Sequence, residues 1–323
     1  IKLSGTMEYA VDASIVTGTA GDNVDLSSSV AAGVTVSTGA GDDTITTNSA
    51  ALRAVDGGAD ADDSDATTYD GGNDTLVITG TNNSGTGVVN LAATGDQMTT
   101  FNGVAEAVVQ TGFESVDLSG LTSSGSYGFA ITANAAGSTI VASGANDTIT
   151  GGAGTDVITG GAGADTINGG AGTDTIVING DSGSAVGAAA GTFTGFDTVT
   201  FVNADDSIKF LASAAVDTSA GKQVAADGKA YVFDGAQVVN SSAVTDLAAA
   251  NFTDVDKVVT FINAVSSNTA ATGMDYLIVV NDDTALKSAI YHVENASTDA
   301  VAAAEVSLLS VTEGVVVAAD FIA

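Results

Sequence analysis

Short runs in which apolar and hydroxyl-bearing residues take turns recur along the first half of the chain, among them Val34-Thr35-Val36-Ser37, Thr75-Leu76-Val77-Ile78 and Ser115-Val116-Asp117-Leu118. Successive side chains of an extended backbone point to opposite faces, so each run predicts a short strand with one apolar face. Glycines and asparagines between the runs mark turns. Near the middle the pattern becomes periodic: Ile149, Ile158, Ile167 and Ile176 stand nine residues apart, each at the centre of a three-residue strand signal. Ladders of Val, Ile and Leu stacked from coil to coil predict a β-solenoid over residues 1–140, although a β-sandwich satisfies the same alternation.

The periodicity stops after Val177. Thr194-Gly195-Phe196-Asp197-Thr198-Val199-Thr200-Phe201 opens a segment richer in aromatic residues, which predicts a cap over the open end of the roll. Phe196, Phe201, Phe210, Tyr231 and Phe233 are its expected core. Thr253 with Asp256 three residues on reads as a capping box, and Val255, Val258, Val259 and Ile262 fall on one helical face. Strand patterns over residues 276–281, 289–294 and 305–311 predict a closing sheet, with Asp282-Asp283 as a turn. The expected fold is therefore all-β. Residues 1–140 form a Thr/Ala/Gly-rich solenoid, 141–180 a parallel β-roll, and 181–323 a mostly β C-terminal cap domain containing one short helix.

Glycine and aspartate surround each periodic isoleucine in a fixed order. Gly151-Gly152-Ala153-Gly154-Thr155-Asp156-Val157-Ile158-Thr159 is followed without a gap by residues 160–168 and 169–177, each of the form G-G-x-G-x-D-x-U-x, where U is apolar. Glycine admits backbone torsions closed to other residues, so the first six positions can turn sharply and aim carbonyl oxygens at one point, to which Asp adds a carboxylate. Oxygen-only ligation in a flexible loop suits calcium rather than zinc or copper. The candidate ligands are Gly151, Ala153, Thr155 and Asp156; Gly160, Ala162, Ala164 and Asp165; and Gly169, Ala171, Thr173 and Asp174. A degenerate copy ahead of them adds Gly144, Asn146 and Asp147. One coil takes two repeats, so Asp147 is expected to face Asp165, and Asp156 to face Asp174, with a metal bridging each pair. At an effective dielectric near 20, bare carboxylates at about 4 Å repel by roughly 4 kcal/mol per pair.

Eroded copies lie upstream. Gly39-Ala40-Gly41-Asp42-Asp43-Thr44-Ile45-Thr46 fits positions 2 to 9, which makes Asp42 and Asp43 candidates. Gly72-Asn73-Asp74-Thr75-Leu76 brings in Asp74, and Gly18-Thr19-Ala20-Gly21-Asp22-Asn23-Val24 is similar in flavour. These copies have no sequence neighbours in phase, so each reads equally as a calcium turn or as an ordinary Gly-Asp turn before a strand. Asp165→Ala or Asp156→Ala is accordingly expected to cost more calcium-dependent stability than Asp43→Ala. Residues 55–74 are dense in Asp, including Asp60 and Asp62, and read either as a calcium-holding loop or as a disordered acidic insertion.

The four copies over residues 142–177 resemble the RTX family of bacterial proteins. The resemblance implies calcium as the cofactor, a parallel roll and export by a type I system with an uncleaved C-terminal signal. Val315-Val316-Val317-Ala318-Ala319-Asp320-Phe321-Ile322-Ala323 looks like such a tail, and also reads as a last strand. No N-terminal signal peptide pattern is visible at Ile1-Lys2-Leu3-Ser4-Gly5.

Charge narrows the picture. Thirty-nine acidic residues against seven basic ones give a formal charge of −32. Such a surface repels nucleic acid and anionic lipid and attracts divalent cations. No apolar run approaches the roughly 18 residues a membrane helix needs, so no membrane insertion is expected. The absence of Cys excludes disulfides and thiol chemistry. His292, the one imidazole, sits in a strand pattern without a nucleophile elbow or a zinc-protease helix and reads as an exposed strand histidine. Aromatics make up 5% of the chain and Trp is missing, which leaves little to stack a sugar. The chain is expected not to be an enzyme. Three readings follow: a calcium-dependent structural protein of a surface layer of the S-layer kind, secreted and self-associating into a lattice; an RTX adhesin; or the C-terminal secretion and folding region of a larger exported enzyme or toxin. Contact with cell-surface polysaccharide is expected only through regions outside this chain.

Overall fold

A computed structural model describes residues 13–28, 34–50, 52, 54–58, 73–123, 127–178, 196–200, 206–210, 215–217, 223–224, 229–233, 247–267, 274–282, 285–295, 302–314, 316 and 320–322. It contains two compact units, Ile1–Gly161 with Gly169–Asp174, and Ala162–Asn168 with Thr175–Ala323.

The first unit is a coil of parallel strands. One sheet runs Asn23–Asp25, Thr44–Asn48, Thr75–Asn82, Ser115–Asp117, Thr139–Val141, Val157–Thr159 in spatial order. Its register aligns one apolar residue from every coil: Val24 with Ile45, Ile45 with Leu76, Leu76 with Val116, Val116 with Ile140, and Ile140 with Ile158. All six are buried. Burying each contributes about 1.5–3 kcal/mol, which makes this ladder the spine of the unit. A second parallel sheet holds Ala13–Val16, Val34–Ser37, Val55–Asp56 and Gln110–Thr111. A third aligns Val89, Ile131 and Ile149 from the strands Gly87–Asn90, Phe129–Thr132 and Thr148–Thr150. It then turns antiparallel through Met98–Phe101 and Val104–Ala105.

The upstream copies, which lack sequence neighbours in phase, are in phase in space. Coil-to-coil offsets of 21 and 31 residues place Thr44 beside Asn23 and beside Thr75. Insertions are absorbed between strands, so the register of the apolar position survives them.

The second unit continues the same principle. Ile176 aligns with Ile208, and Ile208 with Phe321 of the strand Phe321–Ile322. Thr166–Asn168, Asp197–Thr200 and Val306–Glu313 pair in parallel. Within this unit parallel stacking thus extends past Val177, where the nonapeptides end, and the tail contributes a strand to it. Lys287–Asn295 pairs antiparallel with both Val306–Glu313 and Met274–Asp282, giving the closing sheet the sequence predicts. The helix spans Val255–Val265. Its N-cap is Asp254, whose Oδ1 accepts the Lys257 N–H at 3.2 Å, rather than Thr253, so the cap lies one residue later than the sequence pattern places it. Val255, Val258 and Ile262 pack with Phe252, Ile278, Tyr291, Val293 and Leu308 as the core of this unit, and Phe196 and Val259 lie against it half-buried. Phe201 and the side chains of Phe210, Tyr231 and Phe233 lie outside the described residues. His292 is half-buried in its strand rather than exposed.

Candidate metal centre

Each coil of the first sheet enters its strand from an acidic or hydroxyl residue, and these residues form a column. The backbone N–H of Asp22 donates to Asp43 Oδ1 at 2.7 Å, that of Asp43 to Asp74 Oδ1 at 2.8 Å, and that of Asp74 to Glu114 Oε2 at 2.9 Å. Further along, Ser138 N–H donates to Asp156 Oδ1 at 2.7 Å and Asp156 N–H to Asp174 Oδ1 at 2.9 Å. Asp156 and Asp174 therefore face each other 18 residues apart. On the third sheet Phe129 N–H donates to Asp147 Oδ1 at 2.5 Å, again across 18 residues. In the second unit Asp165 N–H donates to Asp197 Oδ1 at 3.0 Å.

The other carboxylate oxygen closes its own turn. Asp156 Oδ2 accepts the N–H of Gly152, four residues earlier, at 2.9 Å, and Asp147 Oδ2 accepts that of Ser143 at 2.9 Å. Asp22 is half-buried, and the other aspartates at these turns are buried: Asp43, Asp147, Asp156, Asp165, Asp174 and Asp197 expose 2% or less, and Asp74 6%. Gly151, Gly160 and Gly169, at position 1, are also buried, while Ala153, Thr155, Ala162, Ala171, Thr173, Gly144 and Asn146 are exposed and Ala164 is half-buried. Asp42 is exposed and its Oδ1 accepts the Asn73 N–H at 3.0 Å. Asp60 and Asp62 lie outside the described residues.

The glycines serve two separate ends. Gly170 and Gly172 adopt φ of +91° and +118°, the left-handed region that the turn requires. Gly151 is needed for space instead, because a Cβ there would collide with the carbonyl oxygen of Gly169 in the next coil.

The cost of this arrangement is desolvation. Burial pushes the Asp147 carboxyl up to about 6, against the N–H groups of Phe129 and Ser143 and the Ser143 hydroxyl, which pull it down. Asp197 rises to about 7 for the same reason, partly offset by the Asp165 N–H, and Asp156 is raised by burial against Gly152 and Ser138. Burial, rather than the carboxylate repulsion expected from spacing, is the leading cause. No Lys, Arg or His occurs anywhere in residues 54–208, so that stretch supplies no cation of its own. One oxygen in the column, Asp43 Oδ2, is buried without a hydrogen-bond partner. Among the described residues no group of three or more His, Cys, Asp or Glu side chains comes together. A metal here would thus be held by facing aspartates and turn carbonyls. That donor set fits calcium, which takes six to eight oxygens with tolerant geometry.

The RTX calcium-binding nonapeptide repeat (4 copies) matches residues 35–50 and 141–176. The repeats are RTX repeats, and RTX repeats bind calcium. No curated protein matches the chain. The matched segments account for Asp43, Asp147, Asp156, Asp165 and Asp174; Asp74 stands in the same column outside them.

Sequence reading left three members out of the candidate ligands. Asp197 falls in the segment expected to form the cap, although Gly195-Phe196-Asp197-Thr198-Val199-Thr200 repeats the G-x-D-x-U-x half of the motif. Glu114 follows the same rule in Gly112-Phe113-Glu114-Ser115-Val116. Asp22 ends the similar turn at residues 18–22. Their signal is an incomplete copy of the motif, at a period other than nine.

Proposed function

We propose that this protein is a calcium-dependent, extracellular structural component of a bacterial surface layer, exported by a type I system, in which calcium folds the protomer and links copies into a lattice. The observation that carries the reading is the buried acidic column with no basic residue across residues 54–208, in a chain of formal charge −32. Copies with that charge repel unless a divalent cation neutralises them, so folding and association would respond to the same ion. Calcium modules tuned to dissociation constants of about 0.1–1 mM are filled outside cells. The sparse aromatic content and the exposed Thr and Ala of the turns suit a repetitive structural surface better than a catalytic cleft. No helix among the described residues is long and apolar enough to cross a membrane.

Electron microscopy of purified protein tests this. Restoring about 1 mM calcium should produce ordered sheets that dissolve on chelation. Discrete monomers under both conditions contradict the lattice, leaving the adhesin and secretion-region readings.

A further inference from the structure

The run of buried carboxylates has a gap in the middle of the first unit. Asp74 and Asp147 are buried, and between them the buried polar side chains are Asn82, Gln97, Gln110, Ser115, Ser138 and Ser143, all neutral. Residues 75–146 contain only four acidic residues, Asp96, Glu106, Glu114 and Asp117, and each is half-buried. Hydroxyls and amides take the carboxylates' place here. Ser138 Oγ accepts the N–H of Asn134, four residues earlier, at 2.8 Å, as Asp156 Oδ2 accepts that of Gly152 at 2.9 Å. Ser115 Oγ accepts the Thr139 N–H of the following coil at 3.0 Å.

Gln97 is 3% exposed, yet each of its polar atoms is paired. Its Nε2 donates to the carbonyl oxygens of Leu91 at 3.1 Å and Phe113 at 2.8 Å, and its Oε1 accepts the Phe113 N–H at 2.9 Å. Its backbone N–H donates to Gln110 O, and its carbonyl accepts the Asn90 N–H, both at 2.7 Å. A neutral side chain thus meets the carbonyls that converge on it, and a satisfied buried amide leaves no desolvated charge behind. The same stretch carries the bulkiest apolar packing of the unit. Phe101, Phe113 and Phe129, the only phenylalanines before residue 193, are all buried, and the rings of Phe101 and Phe129 lie 5.9 Å apart. Leu91 and Met98 join them among the fully buried side chains. Met98–Phe101 and Val104–Ala105 pair through Asn102-Gly103, at φ of +52° and +73°, so this contact closes a short loop at small entropic cost.

We propose that residues 75–146 are a cation-indifferent block inside a calcium-dependent coil. The flanks, with buried Asp43 on one side and Asp147 and Asp156 on the other, order and disorder with calcium. The block keeps its packing and acts as the template onto which they close. It presents the edges for this, because Thr44–Asn48 adds in parallel to Thr75–Asn82, and Val157–Thr159 to Thr139–Val141. Its strands are a minor part of the chain's β-structure, so it persists without calcium as a remnant. The proposal does not depend on the surface-layer reading and holds equally for an adhesin or a secretion region.

Hydrogen exchange of the full chain at pH 7.5, read by mass spectrometry of peptides in chelator and in about 1 mM calcium, tests it. In chelator, residues 87–101, 113–118 and 129–141 should keep their protection, while residues 44–48 and 157–159 should lose theirs and regain it with calcium. Gln97→Glu keeps the acceptor for the Phe113 N–H, removes both donations and buries a charge, so protection of residues 87–118 in chelator should be lost. If that variant fails to fold in calcium, Ser138→Asp takes its place: it imports the missing carboxylate, and residues 129–141 should then lose protection in chelator and recover it with calcium. Uniform loss or uniform retention across these segments in the parent, or a folded Gln97→Glu or Ser138→Asp protein with parental protection in chelator, overturns the proposal.

Discussion

A buried carboxylate with a raised pKa makes a definite statement about pH. Asp147 holds its proton up to about 6 in the metal-free fold, against an ordinary value of 3.8. Between those values the native state binds more protons than the unfolded chain, so stability falls as pH rises through the window, by on the order of 3 kcal/mol for this group alone. Asp197, raised to about 7, extends the fall upward. Chelated protein is therefore expected to melt cooperatively at pH 4.5 and to show no cooperative melt at pH 7.5. Calcium, which requires the ionised form, should remove or invert that order. Melting curves at the two pH values with and without chelator check it, and equal melting points in chelator would show that burial is not the controlling cost. The in-phase stacking of Asp43 also changes the comparison drawn from sequence. Asp43→Ala and Asp156→Ala are expected to lose similar amounts of calcium-dependent stability, because both carboxylates cap the N–H of a neighbouring coil.

At the scale of the element, the turn and the strand carry separate loads. Ile140→Ala removes one rung of the apolar ladder and should cost about 2–5 kcal/mol in the calcium-loaded protein while leaving calcium ligation in the turns intact. Gly151→Ala drives a methyl group into the Gly169 carbonyl and should weaken calcium binding along with stability. Paired denaturant melts and calcium titrations of both variants separate the loads; a Gly151→Ala protein with parental calcium affinity would mean that the turn does not shape the site. The strands themselves were legible in sequence, because alternation fixes which residue faces inward whatever the coil length. Legible too were the facing of Asp156 with Asp174 and the closing antiparallel sheet. Less legible was anything that depended on loop length. Asp22, Glu114 and Asp197 escaped because insertions break the period of nine while leaving strand register untouched. The helix cap moved from Thr253 to Asp254 because two adjacent residues both suit an N-cap, and only the backbone decides between them.

For the whole molecule the acidic column and the one-signed composition act together. Parallel coils gain a hydrophobic spine from Val24, Ile45, Leu76, Val116, Ile140 and Ile158, while the edge beside that spine accumulates buried aspartates. The spine favours the coil and the edge opposes it until a cation arrives. On the proposed reading calcium is the condition for folding, which would confine the ordered protein to places where the ion is plentiful. Circular dichroism across a thermal melt of the full chain, in chelator and again in about 1 mM calcium, tests this most directly. The account predicts little β-structure and no cooperative transition in chelator at neutral pH, and a β-rich spectrum with a sharp melt once calcium is restored. The same spectrum and the same melting temperature in both solutions would contradict it.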